Sequence, residues 1–154
     1  MRKFKEFKNI GNDEFKNVKQ VFNSGILSGF VGQRGDKFLG GKFVRDFENK
    51  FSKYIKSKYC ISVNSWTSGL ITCLGAIGVE PGDEVILSPW TMSACAMSIL
   101  HWNAIPVFAD IDPKTFNIDP EQIKKKISKK TKAIMVVDIF FFFSPYKEII
   151  KIVK

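Results

Sequence analysis

The run Asn64-Ser65-Trp66-Thr67-Ser68-Gly69 sets hydroxyl and amide side chains where one apolar stretch, Ile61 to Val63, gives way to another, Leu70 to Ile77. A strand that bends there into a helix leaves the first backbone N–H groups of the helix without partners, and Ser and Thr hydroxyls can supplement them. The helix dipole adds partial positive charge at the same point, so the bend suits a phosphate without any lysine. The same residues would serve equally well as an ordinary helix cap, and the bend alone leaves both readings open. No G-x-G-x-x-G and no G-x-x-x-x-G-K-[ST] occurs in the chain, so neither a dinucleotide fingerprint nor a P-loop accounts for it.

The elements that must position this bend follow from hydrophobic periodicity. The pattern predicts strands at Tyr59 to Val63, Glu84 to Leu87, Ile105 to Ala109 and Ala133 to Val137. Helices are expected between them at Ser68 to Ile77, Thr91 to Leu100 and Pro120 to Ile127, the last capped by Asp119. Alternation of this kind implies an α/β fold, a mostly parallel sheet with helices on both faces, and ligands beyond the carboxyl ends of the strands. Chemically capable residues fall at those ends: Ser65 and Thr67, then Ser88 and Trp90, then Asp110 and Asp112, then Asp138. An exposed indole at Trp90 would stack on a flat heteroaromatic ring, whereas a buried one would simply cap the sheet. His101, the only histidine, adjoins Trp102 near a helix end and reads as structural.

Before Tyr59, helices are expected after Asn12-Asp13-Glu14, ending at Gly25, and from Lys42 to Lys56, where Phe43, Phe47, Phe51, Tyr54 and Ile55 form an apolar stripe that should pack onto the domain. Between them lies an irregular Gly-rich loop, a surface loop or one ordered around a substrate. The expected organisation is therefore residues 1–58 as helices with this loop, and residues 59–154 as an incomplete α/β cofactor-binding domain. A last helix is expected from Tyr146 to Val153, with Tyr146, Ile149, Ile150 and Val153 on one face.

The length, 154 residues, allows one core-forming domain, and no apolar run reaches the ~18 residues of a membrane span. With no secretory-type start, the expected location is the cytoplasm. Cys60, Cys73 and Cys95 lack C-x-x-C spacing and are expected to be buried thiols, without a metal site. The net charge of +9 is densest at Lys124-Lys125-Lys126, Lys129, Lys130 and Lys132, but Ile123 and Ile127 recur among them as the buried stripe of a solvated helix. No aromatic residues interleave, so neither nucleic acid nor membrane is an expected partner. Long-range attraction of anionic, nucleotide-linked substrates remains.

Taken together, these segments resemble the DegT/DnrJ/StrS sugar aminotransferases. The match runs from Gly25-Ile26-Leu27-Ser28-Gly29 through Phe47-Glu48, Asn64 to Leu70, Pro81 to Ile86, Pro89-Trp90-Thr91, Pro106 to Asp112, Asn117 to Pro120 and Thr131 to Ile134. The resemblance implies the large-domain fold of fold type I pyridoxal phosphate transferases, and it covers roughly the first two fifths of such a protein. It implies that Trp66 and Thr67 bind the cofactor phosphate, that Trp90 stacks on its pyridine ring and that Asp138 lies near it. Amino transfer from an amino acid such as glutamate to a keto sugar on a nucleotide is the implied activity, in a homodimer. The lysine that carries the cofactor as a Schiff base falls, by the family's pattern, beyond Lys154; no catalytic residue is assigned, and this chain alone is expected not to transaminate. The chain departs from the pattern with Trp66, where many members have Gly, and with Phe141, Phe142 and Phe143 after Asp138-Ile139-Phe140. A catalytically inactive truncated relative and a nicotinamide-type Rossmann domain are the alternatives.

Overall fold

The structure is a computed structural model that describes Phe7 and residues 9–153. It divides into two compact units, Met1–Ser62 and Val63–Lys154.

In the first unit, helix α1 spans Asn12–Ser24. Gly11 precedes it, and Glu14 reaches back to accept the Gly11 N–H at 2.7 Å. The turn ends at Gly25, whose φ of 67° is the left-handed conformation that suits glycine at a helix end. A short 3-10 turn, Asp36–Leu39, leads to α2, Lys42–Tyr54. The aromatic stripe of α2 forms as the periodicity predicts, with Phe47 and Phe51 rings 5.7 Å apart, but Phe43, Phe47, Phe51, Tyr54 and Ile55 stay exposed. Within the first unit nothing described covers that stripe. Amphipathic spacing specifies a face to be covered without supplying the cover.

Tyr59 to Val63 corrects the sequence reading more directly, because it forms no strand, and Tyr59 and Ile61 are exposed. A strand needs a hydrogen-bonded neighbour as well as apolar side chains, and no described segment offers one. The segment is tethered instead to α2: the backbone N–H and the hydroxyl of Ser62 donate to Glu48 Oε1 at 2.7 and 2.8 Å.

The second unit is a three-layer α/β arrangement. Helix α3, Trp66–Ala76, leads through a turn at Pro81-Gly82 into β1, Glu84–Leu87, then α4, Ser93–His101, and β2, Ile105–Phe108. Helix α5, Pro120–Lys126, β3, Thr131–Met135, and α6, Tyr146–Ile152, complete it. The sheet order is β2-β1-β3 with both pairings parallel, so β1 is central and Val85, Ile86 and Leu87 are fully buried. Successive residues of β1 face opposite sides. Val85 and Leu87 meet Leu74, Cys95 and Ile99 of α3 and α4, while Ile86 meets Ile118, Ile123 and Ile149 on the other face. Pro106, which cannot donate to a ladder, sits on the edge strand β2.

Three smaller expectations are corrected. Cys95 is buried, but Cys60 is only partly so and Cys73 is exposed on α3. Ile123 is buried whereas Ile127, the residue after α5, is not, since the helix ends before its stripe completes. In α6 only Ile149 is buried and Ile152 packs beside it, while Tyr146, Ile150 and Val153 are exposed. The helix rests on the sheet along a narrow line.

Candidate cofactor site

Helix α3 sets the first half of the site. Ser65 is its N-cap, with an extended backbone, and its hydroxyl oxygen accepts the Ser68 N–H at 3.1 Å. The Ser65 hydroxyl also lies 3.0 Å from that of Ser68, and the Gly69 N–H donates to the Ser65 carbonyl. The cap reading of Ser65 is thus realised. The N–H groups of Trp66 and Thr67, and the Thr67 hydroxyl, have no hydrogen-bond partner among the described residues. Free first-turn donors at the positive end of an eleven-residue helix are what an anion needs. Trp66 itself is 74% exposed.

The second half follows β1. Ser88 is buried and its hydroxyl accepts the Trp90 N–H at 3.0 Å, a local turn that lifts the Trp90 side chain off the end of the strand. The indole is 50% exposed, neither a core plug nor free in solvent. Its ring meets Phe116 with centroids 5.9 Å apart and planes 39° apart.

These halves share one end of the sheet. Helix α3 returns into β1 through a short turn, and Leu70 and Leu74 pack on the same cluster as Val85 and Leu87, so helix and strand run antiparallel. Eleven helical residues span about 16 Å and four strand residues about 13 Å. The α3 N-terminus therefore lies at the level of the β1 carboxyl end, where Trp90 follows.

Asp138 stands three residues beyond β3, and both of its oxygens are engaged. Oδ1 accepts the Ser144 N–H at 2.8 Å and Oδ2 accepts the Tyr146 hydroxyl at 3.1 Å. The Ser144 N–H, above all, lowers the Asp138 pKa below its ordinary value; partial burial opposes this and the Tyr146 hydroxyl adds to it. Burial chiefly, and then Asp138, raises the pKa of Tyr146. Asp138 thus closes the 138–146 loop onto the start of α6. Asp110 and Asp112 do local work as well, accepting N–H groups of Ile111 and of Lys114 and Thr115. His101 lies edge-on to Trp102, their ring centroids 6.2 Å apart.

Two residues that the chemistry-first reading did not single out organise this end. Phe116 backs Trp90, and Asn117, 1% exposed, bonds across to the segment after β3. An Asn directly before a helix-opening Ile-Asp-Pro was the available signal.

The comparisons with known proteins decide the family. The DegT/DnrJ/EryC1/StrS aminotransferase family matches residues 9–153. The chain belongs to that family. It is 41% identical over 128 residues to the spore coat polysaccharide biosynthesis protein SpsC of Bacillus subtilis (strain 168), covering 83% of this chain and 30% of SpsC. It is 37% identical over 137 residues to dTDP-3-amino-3,6-dideoxy-alpha-D-galactopyranose transaminase of Aneurinibacillus thermoaerophilus, covering 89% of this chain and 36% of that protein. Among solved structures, NtdA of Bacillus subtilis with bound cofactor PMP superposes with a TM-score of 0.78 at 31% identity, over 93% of this chain and 31% of NtdA. The chain spans about a third of the length of the relatives it matches. Membership overturns the nicotinamide-type Rossmann alternative and indicates pyridoxal phosphate as the cofactor. The residues at hand fit that group in kind: free N–H donors for a phosphate and a half-exposed indole for a ring.

Proposed function

We propose that this chain is the cofactor-binding portion of a pyridoxal phosphate-dependent aminotransferase, acting on a keto group of a nucleotide-linked sugar with an amino acid, glutamate, as donor. The observation that carries this reading is the pairing of unpartnered N–H groups at Trp66 and Thr67 with the half-exposed ring of Trp90 at one end of the sheet. The cofactor, when bound, supplies the electron sink for amino transfer. This chain's own residues bind and orient: the first turn of α3 and the Thr67 hydroxyl hold the phosphate, and Trp90 stacks on the ring. Asp138 lies near by and fixes the loop that follows β3. Residues 1–58 form an N-terminal segment and residues 59–154 the cofactor-binding part. The working form is a cytoplasmic homodimer, and none of the described helices is long and apolar enough to cross a membrane.

No lysine in this chain is assigned as the covalent anchor, so the 154-residue chain should bind the cofactor without transaminating. Titration with pyridoxal phosphate, followed by borohydride reduction and peptide mapping, tests both halves. Saturable binding that is lost in Trp90→Ala, with no site-specific lysine adduct, is the expected result; a stoichiometric adduct with amino-group transfer would overturn the anchor assignment. Absence of any binding would sink the site.

A second reading, a non-catalytic relative, draws on the exposed Phe140 to Phe143 run, where Phe140 and Phe141 adopt φ of 52° and 64°. That backbone ordinarily selects Gly or Asn.

A further inference from the structure

Behind Trp90, segments far apart in sequence converge on a chain of three rings. Phe116 lies 5.9 Å from Trp90, and Phe140 lies 5.8 Å from Phe116, edge-on at 88°. Neither phenylalanine has a relaxed backbone, since φ is 60° at Phe116 and 52° at Phe140, a region that bulky side chains avoid. Something must hold them there.

Asn117 supplies the restraint. Its Nδ2 donates to the Phe142 carbonyl at 2.9 Å and its Oδ1 accepts the Ile139 N–H at 2.9 Å. The Phe142 N–H closes the same turn by donating to the Ile139 carbonyl at 3.0 Å. One buried side chain therefore satisfies the open positions of the Ile139–Phe142 turn and fixes it to the segment that carries Phe116. On its own side that segment is closed as well: the Phe116 N–H donates to the Asp112 carbonyl, the Asp112 N–H donates to the Asn117 carbonyl, and Ile111 bridges Ile118. The ring at position 116 has little freedom to swing away from the indole.

We propose that Phe116 and Asn117 are positioning residues for Trp90. Asn117 locks the two loops together, and Phe116 seats the indole in the single orientation it presents to a planar ligand. What the indole then stacks on rests on the cofactor reading above; the seating does not. An unseated, half-exposed indole would have to be ordered on binding, which is expected to weaken stacking-dependent affinity roughly two- to tenfold.

The test labels the whole chain with 5-fluorotryptophan, giving one fluorine resonance each for Trp66, Trp90 and Trp102. The first two are assigned by Trp66→Phe and Trp90→Phe, the third by elimination. Phe116→Asn removes the ring yet suits the left-handed backbone, so the loop keeps its shape; Phe116→Tyr keeps the ring. In Phe116→Asn and in Asn117→Ala the Trp90 resonance is expected to move toward that of solvent-exposed fluorotryptophan. The Trp102 resonance, held by its hydrogen bond to the Ile71 carbonyl, should stay, and Phe116→Tyr should restore the Trp90 resonance. A Trp90 resonance unmoved in Phe116→Asn would overturn the proposal. Collapse of all three resonances in Asn117→Ala would make Asn117 a folding residue and overturn its half. Pyridoxamine phosphate is then titrated into the parent chain. If it leaves the Trp90 resonance unchanged while Phe116→Asn frees the indole, the seating stands and the cofactor reading fails.

Discussion

Trp102 occupies the space that a side chain at position 75 would need: a Cβ on Gly75 would come within 2.4 Å of Trp102 Cζ2. The indole N–H of Trp102 also donates to the Ile71 carbonyl at 2.9 Å, so one side chain pins α3 to the end of α4. Gly75→Ala tests this lock, because two effects oppose each other. Replacing a helical glycine, here in the last turn of α3, would stabilise by at most about 0.5–1 kcal/mol. Forcing a methyl into a filled space costs about 1–3 kcal/mol, and a 2.4 Å approach to a ring held by a hydrogen bond favours the cost. A net loss of about 1 kcal/mol is expected in urea unfolding; a more stable variant would show that the ring yields freely.

Ser65 and Thr67 should separate stability from binding. Ser65 caps α3 through the Ser68 N–H, so Ser65→Ala should cost about 1 kcal/mol of stability. The Thr67 hydroxyl has no partner among the described residues, so Thr67→Val should leave stability within about 0.5 kcal/mol. The same change removes a hydroxyl donor to a charged group, and pyridoxamine phosphate should bind about tenfold more weakly or worse. Phosphorus NMR of the titrated chain, beside a thermal melt, reads both quantities. Equal affinity for parent and Thr67→Val would remove Thr67 from the site.

Much of the second unit is legible from residue patterns, because each strand there has a neighbour and each helix a face to cover. Glu84 to Leu87 is readable from the apolar run Val85 to Leu87 shortly after a Pro-Gly turn, and it is the central strand. Tyr59 to Val63 carries the same signal and forms no strand, since pairing is a property of the partner as much as of the segment. Trp90 and the α3 turn are legible as chemistry at strand and helix ends. Asn117 is legible only as an Asn ahead of Ile-Asp-Pro; its role is not, because its two partners lie more than twenty residues ahead. Asp138 was visible as a strand-end carboxylate, but its engagement by Ser144 and Tyr146 depends on how the loop folds back.

That engagement gives Asp138 and Tyr146 opposite pH signatures. A carboxyl whose folded pKa is lowered from 3.8 stabilises the folded state above that value and loses the contribution as pH falls through the lowered one. The Ser144 amide should therefore keep its exchange protection near neutral pH and lose it in strong acid. Asp138→Asn should reduce that protection at neutral pH and flatten the acid dependence. Tyr146, raised from 10.0, contributes below 10.0 and loses its contribution as pH rises through the higher value. In an absorbance titration the component lost in Tyr146→Phe should ionise above 10.0. Protection of Ser144 that is independent of pH would rule out Asp138 as the partner that matters.

Phe141 sits at φ 64° in a turn closed by the Phe142 N–H, next to Phe140 at 52°, and positive φ at both central positions is the pattern of a type I′ turn. Such turns favour Asn-Gly because a Cβ in the left-handed region costs about 1–2 kcal/mol. Phe141 is fully exposed, so its ring returns little burial for that strain. In Phe141→Gly the relief outweighs the added flexibility of the unfolded chain, about 0.4–1 kcal/mol, and a net gain near 1 kcal/mol is expected. The change also shortens an exposed aromatic run, so the concentration at which the chain aggregates should rise. Phe140 must be left in place, because it touches Phe116 and its removal would mix turn strain with the ring contact. A Phe141→Gly chain that unfolds at lower urea than its parent would mean that the ring is covered in solution, and that the run from Phe140 to Phe143 has a partner.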